Sequence, residues 1–159
     1  MPTNTYVPLA TLTLTATDTS ITFSSLPTSG YRDLIFVLVG KSTPNDTAPR
    51  IRFNGDSGSN YTYVYMQGSS GGAASSSGTN TYIDSYILSS NTCTTIHHIM
   101  DYSATDKSKT VLSYRDLAGV DTMRQAQRWA NTSAITSLEV FVPSNSLAIG
   151  TQISLYGIA

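Results

Sequence analysis

The chain has 159 residues with a formal net charge of −1 at pH 7 and a mass of 17.0 kDa, the size of one domain. Charged residues are only 12% of it, with a single glutamate and three lysines, while Ser and Thr contribute 23 each. Scarce Glu and Lys beside abundant Thr, Tyr, Val and Ile exclude a helical protein. A pI near 6.0 excludes a basic nucleic-acid footprint or a polybasic membrane surface, and one cysteine, Cys93, excludes an internal disulfide.

The opening residues, Met1-Pro2-Thr3-Asn4-Thr5-Tyr6, lack a basic region followed by an apolar run, so no secretory signal is expected. Residues 1–10 carry Pro2, Pro8, Thr and Asn with Tyr6, Val7 and Leu9 as their apolar anchors, and this composition predicts an extended N-terminal arm. Thr11-Leu12-Thr13-Leu14-Thr15 alternates Leu on one face with Thr on the other, and Ile21 and Phe23 repeat the pattern before the break at Pro27-Thr28-Ser29-Gly30. Leu34-Ile35-Phe36-Val37-Leu38-Val39 is apolar at every position, which predicts a central strand covered on both faces. It is also the longest apolar stretch, too short to span a bilayer.

Ile51 and Phe53 lead into Asn54-Gly55, a tight-turn dipeptide. Tyr61-Thr62-Tyr63-Val64-Tyr65-Met66 puts three tyrosines on one face and Val64 and Met66 on the other. Residues 68–80 are Gly, Ser, Ala, Thr and Asn only, which predicts a flexible exposed loop. Further strands are predicted over residues 82–88, 94–102, 110–114, 137–142 and 152–158, and residues 121–130 read as a strand in preference to a short helix. Eight to ten short strands without a linker or repeat make an all-β, single antiparallel β-sandwich of jelly-roll type spanning residues 1–159. Its expected core is Leu12, Leu14, Phe36, Leu38, Phe53, Leu138, Val140, Ile153 and Leu155.

The residues that could carry chemistry do not converge. His97 and His98 are adjacent, so on a strand they point to opposite faces and cannot share a metal. The serines lack a Gly-x-Ser-x-Gly elbow, and Cys93 lies in a Ser/Asn/Thr-rich turn without a supporting histidine pair. With one Glu, and Asp residues mostly in turns, paired carboxylates for glycoside hydrolysis are not expected. Asn54-Gly55-Asp56-Ser57-Gly58-Ser59-Asn60 lacks the spaced acids of a calcium loop and reads as a hairpin whose Asn and Asp close their own turns. No enzyme, cofactor or metal site is therefore expected. The tyrosine face of Tyr61, Tyr63 and Tyr65, with Trp129, is a candidate interface, as are Tyr6, Val7 and Leu9 of the arm. The same aromatics would alternatively stack on sugar rings.

The order of segments carries a resemblance. Tyr31-Arg32-Asp33-Leu34 precedes the apolar strand, and Arg52-Phe53-Asn54-Gly55-Asp56-Ser57-Gly58-Ser59-Asn60-Tyr61 precedes the Gly/Ser segment. Met100-Asp101-Tyr102-Ser103, Lys109-Thr110-Val111-Leu112-Ser113, Thr132-Ser133-Ala134-Ile135-Thr136-Ser137-Leu138 and Ser154-Leu155-Tyr156-Gly157-Ile158 follow in turn. Over nearly its whole length the chain resembles small virion structural proteins of tailed bacteriophages, including cyanophages. The Phe-Asn-Gly-Asp and Leu-Tyr-Gly-Ile pieces are moderately specific, and they point to a structural virion component more than to its place on the particle. The resemblance implies a capsid decoration, or cement, protein made in the bacterial host cytoplasm and placed on the outer capsid surface. Its implied partners are the major capsid protein and itself, as a homotrimer, with no nucleic acid, membrane or small-molecule substrate. A tail-associated receptor- or carbohydrate-binding module is the alternative.

Overall fold

In the computed structural model, which describes residues 5–44, 47–85, 92–117 and 119–159, the alternating pattern becomes a series of strands, with no helix among those residues. In chain order they are β1 (Tyr6–Thr13), β2 (Ser20–Phe23), β3 (Asp33–Gly40), β4 (Ser42–Thr43), β5 (Arg50–Phe53), β6 (Tyr61–Ser69) and β7 (Gly72–Asn80). Then follow β8 (Ile83–Asp84), β9 (Cys93–Met100), β10 (Lys109–Leu117), β11 (Asp121–Trp129), β12 (Leu138–Phe141), β13 (Ser146–Leu147) and β14 (Gln152–Ile158).

One sheet has eight strands in the order β1-β14-β3-β9-β10-β11-β6-β7, and a second has four in the order β2-β12-β5-β8. Successive strands β1, β2, β3, β5, β8, β9, β12 and β14 distribute between the sheets as the first, eighth, third and sixth against the second, seventh, fourth and fifth. Interleaved antiparallel order of this kind is the double Greek key of a jelly roll. Strands β10, β11, β6 and β7 extend the larger sheet beyond it. Leu34, Phe36 and Leu38 of β3 and Ile153 and Leu155 of β14 meet Ile51 and Phe53 of β5 and Leu138 and Val140 of β12 in one core. Each of these side chains is fully buried, worth roughly 1.5–3 kcal/mol apiece.

The Phe-Asn-Gly-Asp segment joins the smaller sheet to the extension. Asn54 and Gly55 both have positive φ, 52° and 69°, as a two-residue mirror-type turn requires. Asn54 Oδ1 accepts from the Thr136 and Ser137 N–H groups at 2.8 and 3.1 Å, and its amide donates to Ala134 O at 2.8 Å. Asp56 Oδ2 accepts the buried Trp129 indole N–H at 2.7 Å, while Tyr61 donates its hydroxyl to Asp56 O at 3.1 Å. Trp129 stacks on Tyr61 and meets Phe53 edge-on. In the Leu-Tyr-Gly-Ile segment, Gly157 is required by close approach: a Cβ there would lie 2.5 Å from the Tyr31 ring.

Several expectations need correction. Residues 6–10 are not a free arm, because β1 pairs with β14 from Tyr6↔Ile158 to Thr13↔Gln152 and its main chain finds partners there; residues 1–4 lie outside the described residues. Residues 68–80 are not a loop either. They form the end of β6 and all of β7, paired from Ser69↔Gly72 to Tyr61↔Asn80, because the backbone ladder needs no large side chain. Leu12 sits outside the core on an edge strand, 38% exposed. The apolar strand β3 is fully buried only on its Leu34, Phe36 and Leu38 face; Ile35, Val37 and Val39 are half-buried, with no second layer on them among the described residues. Of the strand predicted over 82–88, the structure has β8 only, and residues 86–88 lie outside the described residues. Residues 121–129 are strand, as expected.

Replacing Asp56→Ala leaves the buried indole N–H without its acceptor. The expected loss of about 1–3 kcal/mol is read as a lower urea midpoint at unchanged m-value.

Candidate functional site

The inward side of the extension mixes the core residues Tyr61, Val111, Leu117 and Trp129 with buried polar groups. On the side that continues the sandwich interior, β10 and β11 place Ser113, Arg115, Asp121, Gln125 and Gln127. Arg115 Nη2 pairs with Asp121 Oδ2 at 2.5 Å, and Gln67 Nε2 donates to the same oxygen at 3.0 Å. The opposite, outward side of the same strands is polar at Thr110, Asp116, Thr122, Arg124 and Arg128 but carries apolar side chains in its middle. Leu112 of β10 lies opposite Ala126 of β11, which lies opposite Val64 of β6; in the other direction Leu112 faces His98, then Ile35 and Tyr156. The next row runs Met66, Arg124, Tyr114, Ile96 and Val37.

These two rows form an apolar band across the outer face of the larger sheet. Met66 is 68% exposed, Val64 57%, Tyr114 40% and Ile96 37%. Between them lies a shallow groove of about 350 Å³ lined by Val64, Met66, Leu112, Tyr114, Arg124 and Ala126. Arg124 is held at its border, with Nη1 3.1 Å from Asp116 Oδ1 and the guanidinium 5.0 Å from the Tyr114 ring centre. Large exposed apolar side chains gathered in one place mark an interaction surface, which scattered ones do not.

The residues singled out from sequence are dispersed. Trp129 and Tyr61 are core residues, buried at the junction of the two sheets, so neither is an interface group. Tyr63 and Tyr65 stack on each other at 6.2 Å on the inward face and are half-buried. Tyr6 is exposed at the β1 edge, whereas Val7 and Leu9 are half-buried, Leu9 against the core. The band is not legible in the sequence because its two rows are assembled from six strands, each contributing one or two residues; Val64 and Met66, opposite the tyrosines, are its one visible trace.

Behind the band, His97 is buried in a polar network. Its Nδ1 lies 2.8 Å from Ser113 Oγ and its Nε2 3.0 Å from Ser85 Oγ, which lies 3.0 Å from Thr95 Oγ1. Gln127 closes the network, donating to Ser113 Oγ at 2.9 Å and accepting from the Asp84 N–H at 3.0 Å. Burial drives the His97 ring down to about 3, so it is neutral. His98, on the opposite face, lies 2.8 Å from Asp33 Oδ2. Burial likewise pushes the Cys93 thiol up to about 11 and the Tyr61 phenol up to about 12. For Asp56, burial acts upward, but hydrogen bonds from Trp129, Asn60 and Gly58 outweigh it and hold the carboxyl below its usual value. Nothing in these groups brings three metal-ligating side chains together among the described residues.

Comparison with protein-family models, with curated proteins and with solved structures gives no match.

The His97 network predicts acid sensitivity. The ring is neutral in the fold but protonates in the unfolded chain near 6.5, so stability is complete above that pH and falls as pH drops toward 3. The loss approaches ~4 kcal/mol at the acid end. Urea unfolding at pH 7 and pH 4 measures it: a His97→Gln variant should be less stable at pH 7 and should lose less between the two.

Proposed function

We propose that this chain is a structural protein of a tailed-phage virion, a capsid decoration protein that seats the outer face of its larger sheet on the major capsid protein. The observation that carries the reading is the apolar band of Val64, Met66, Leu112, Tyr114 and Ile96, displayed on the side of the sheet away from the sandwich core. A decoration protein acts by adding buried area between neighbouring shell subunits, and this needs a rigid apolar surface more than an active site. The resemblance supports the same reading: its Phe-Asn-Gly-Asp and Leu-Tyr-Gly-Ile pieces both brace the fold, through Trp129 and Tyr31. On the particle, copies gathered at threefold positions belong to this proposal. The tail-module alternative needs sugars stacked by Tyr61, Tyr63, Tyr65 and Trp129; burial of Tyr61 and Trp129 leaves it only the half-buried Tyr63 and Tyr65, which favours the first reading.

Cryo-electron microscopy of intact particles tests the assignment. Copies in the hundreds over the shell are expected, and a handful at the tail would refute it. A second measurement addresses the surface. The Met66→Glu/Tyr114→Glu double variant should remain folded, since both side chains are exposed, yet bind undecorated particles more than about tenfold more weakly in co-sedimentation.

A further inference from the structure

Strand β7 ends the larger sheet, and among the described residues no strand pairs with its outer edge. It is nine residues long, Gly72-Ala73-Ala74-Ser75-Ser76-Ser77-Gly78-Thr79-Asn80, and keeps an unbroken register with β6. An edge of this length normally carries a device against pairing with another chain: a charge, a proline, a bulge or a cover. The opposite edge has two of these, Pro8 and an irregularity between Pro8 and Ala10. The smaller sheet protects its edges by brevity, with four residues in β2 and two in β8. β7 has neither charge, proline nor bulge.

The free edge is also well defined. Ser69 and Gly72 close the hairpin around the two-residue turn Ser70-Gly71, which makes them a hydrogen-bonded pair. By alternation, Gly72, Ala74, Ser76, Gly78 and Asn80 bond to β6, whereas Ala73, Ser75, Ser77 and Thr79 turn their N–H and C=O groups outward. A partner strand in the centred antiparallel register would use all four.

We propose that β7 is a pairing edge for a second copy of this chain, joined antiparallel about a two-fold axis at Ser76. Strand addition of a foreign segment takes its specificity from pockets for alternate side chains, and β7, exposed along nearly all its length with only small side chains, has none to offer. Self-pairing needs none. The axis sets Ser75 opposite the second copy's Ser77, Ala74 opposite its Gly78 and Ala73 opposite its Thr79, so small residues meet small residues and no like charges oppose. An isologous contact of this type repeats every hydrogen bond twice. Because the axis is perpendicular to the sheet, the two eight-stranded sheets run on as one, with both Val64–Met66 ridges on the same side. The pairing rests on the edge alone and is independent of the capsid reading; it uses no part of the outer face.

Light scattering and sedimentation equilibrium on the full chain test this. At micromolar concentration the mass should be twice 17.0 kDa. Ser75→Pro and Ser77→Pro remove only outward N–H groups, so β6–β7 pairing and the circular-dichroism spectrum should persist while the dimer dissociates about tenfold or more readily. Ser76→Lys and Ser76→Asp, exposed and facing each other across the axis, should each weaken self-pairing, and an equimolar mixture of the two should restore a dimer. A monomeric wild-type chain overturns the proposal. So does an oligomer whose dissociation the β7 variants leave unchanged, or a Lys/Asp mixture that pairs no better than either variant alone.

Discussion

The hydrogen bond from the buried Trp129 indole to Asp56 is the constraint on which the rest of the architecture depends. The chain leaves the smaller sheet at Phe53 and enters the larger one at Tyr61, and the turn between them carries a carboxylate to the indole N–H of the buried Trp129 at the end of β11. Phe53, Tyr61 and Trp129 pack around that bond. A buried indole N–H without an acceptor is costly, so the bond ties the turn after β5 to the end of β11, where the β6 ladder begins. Lys109, opposite Trp129 on β10, extends the same logic: its ammonium is buried and donates to Ala104 O, Lys107 O and Thr132 O at 2.6, 2.9 and 3.2 Å.

Once the hairpins are held there, the sheet outgrows its cover. Four strands of the smaller sheet cannot reach across eight, and beside the core residues Val111, Leu117 and Trp129 the inner side of the extension is hydrogen-bonded through Ser113, Gln127, Arg115 and Asp121, with His97 of β9. Val64, Met66, Leu112, Tyr114 and Ala126 of the extension face the other way. In an isolated sandwich that arrangement leaves hydrophobic surface in water, since Met66, Val64 and Tyr114 stay 68%, 57% and 40% exposed. It is economical when the outer face meets another protein.

The two proposals about assembly draw on separate properties of this extension. One is the composition of its outer face; the other is the unpaired backbone at its rim. A low charge content serves both, because opposed surfaces of like charge would repel at close range. The same backbone-led pairing explains why a Gly/Ala/Ser segment of low β-propensity can be strand at all: β6 supplies a ladder of nine partners, and tertiary context overrides propensity.

The class of the fold was legible in the sequence because period-2 alternation depends only on neighbours along the chain. Leu14, Phe36, Leu38, Phe53, Leu138, Val140, Ile153 and Leu155 each lie in the core where that alternation put them, and the Asn54-Gly55 turn lies where the dipeptide marked it. Placement across strands was not legible. Alternation says that Tyr61, Tyr63 and Tyr65 share a face, but which face is inward depends on Trp129 and Phe53, distant in sequence. Leu12 alternates as well as Leu14 does, yet sits on an edge strand at 38% exposure. Residues 6–10 and 72–80 looked unstructured because their side chains bury little; their order comes from main-chain bonds to β14 and β6, which composition does not record. The apolar band is the extreme case. Val64, Ala126, Leu112 and Ile35 are single residues on separate strands, and only strand order and register, set by long-range pairing, bring them into one row.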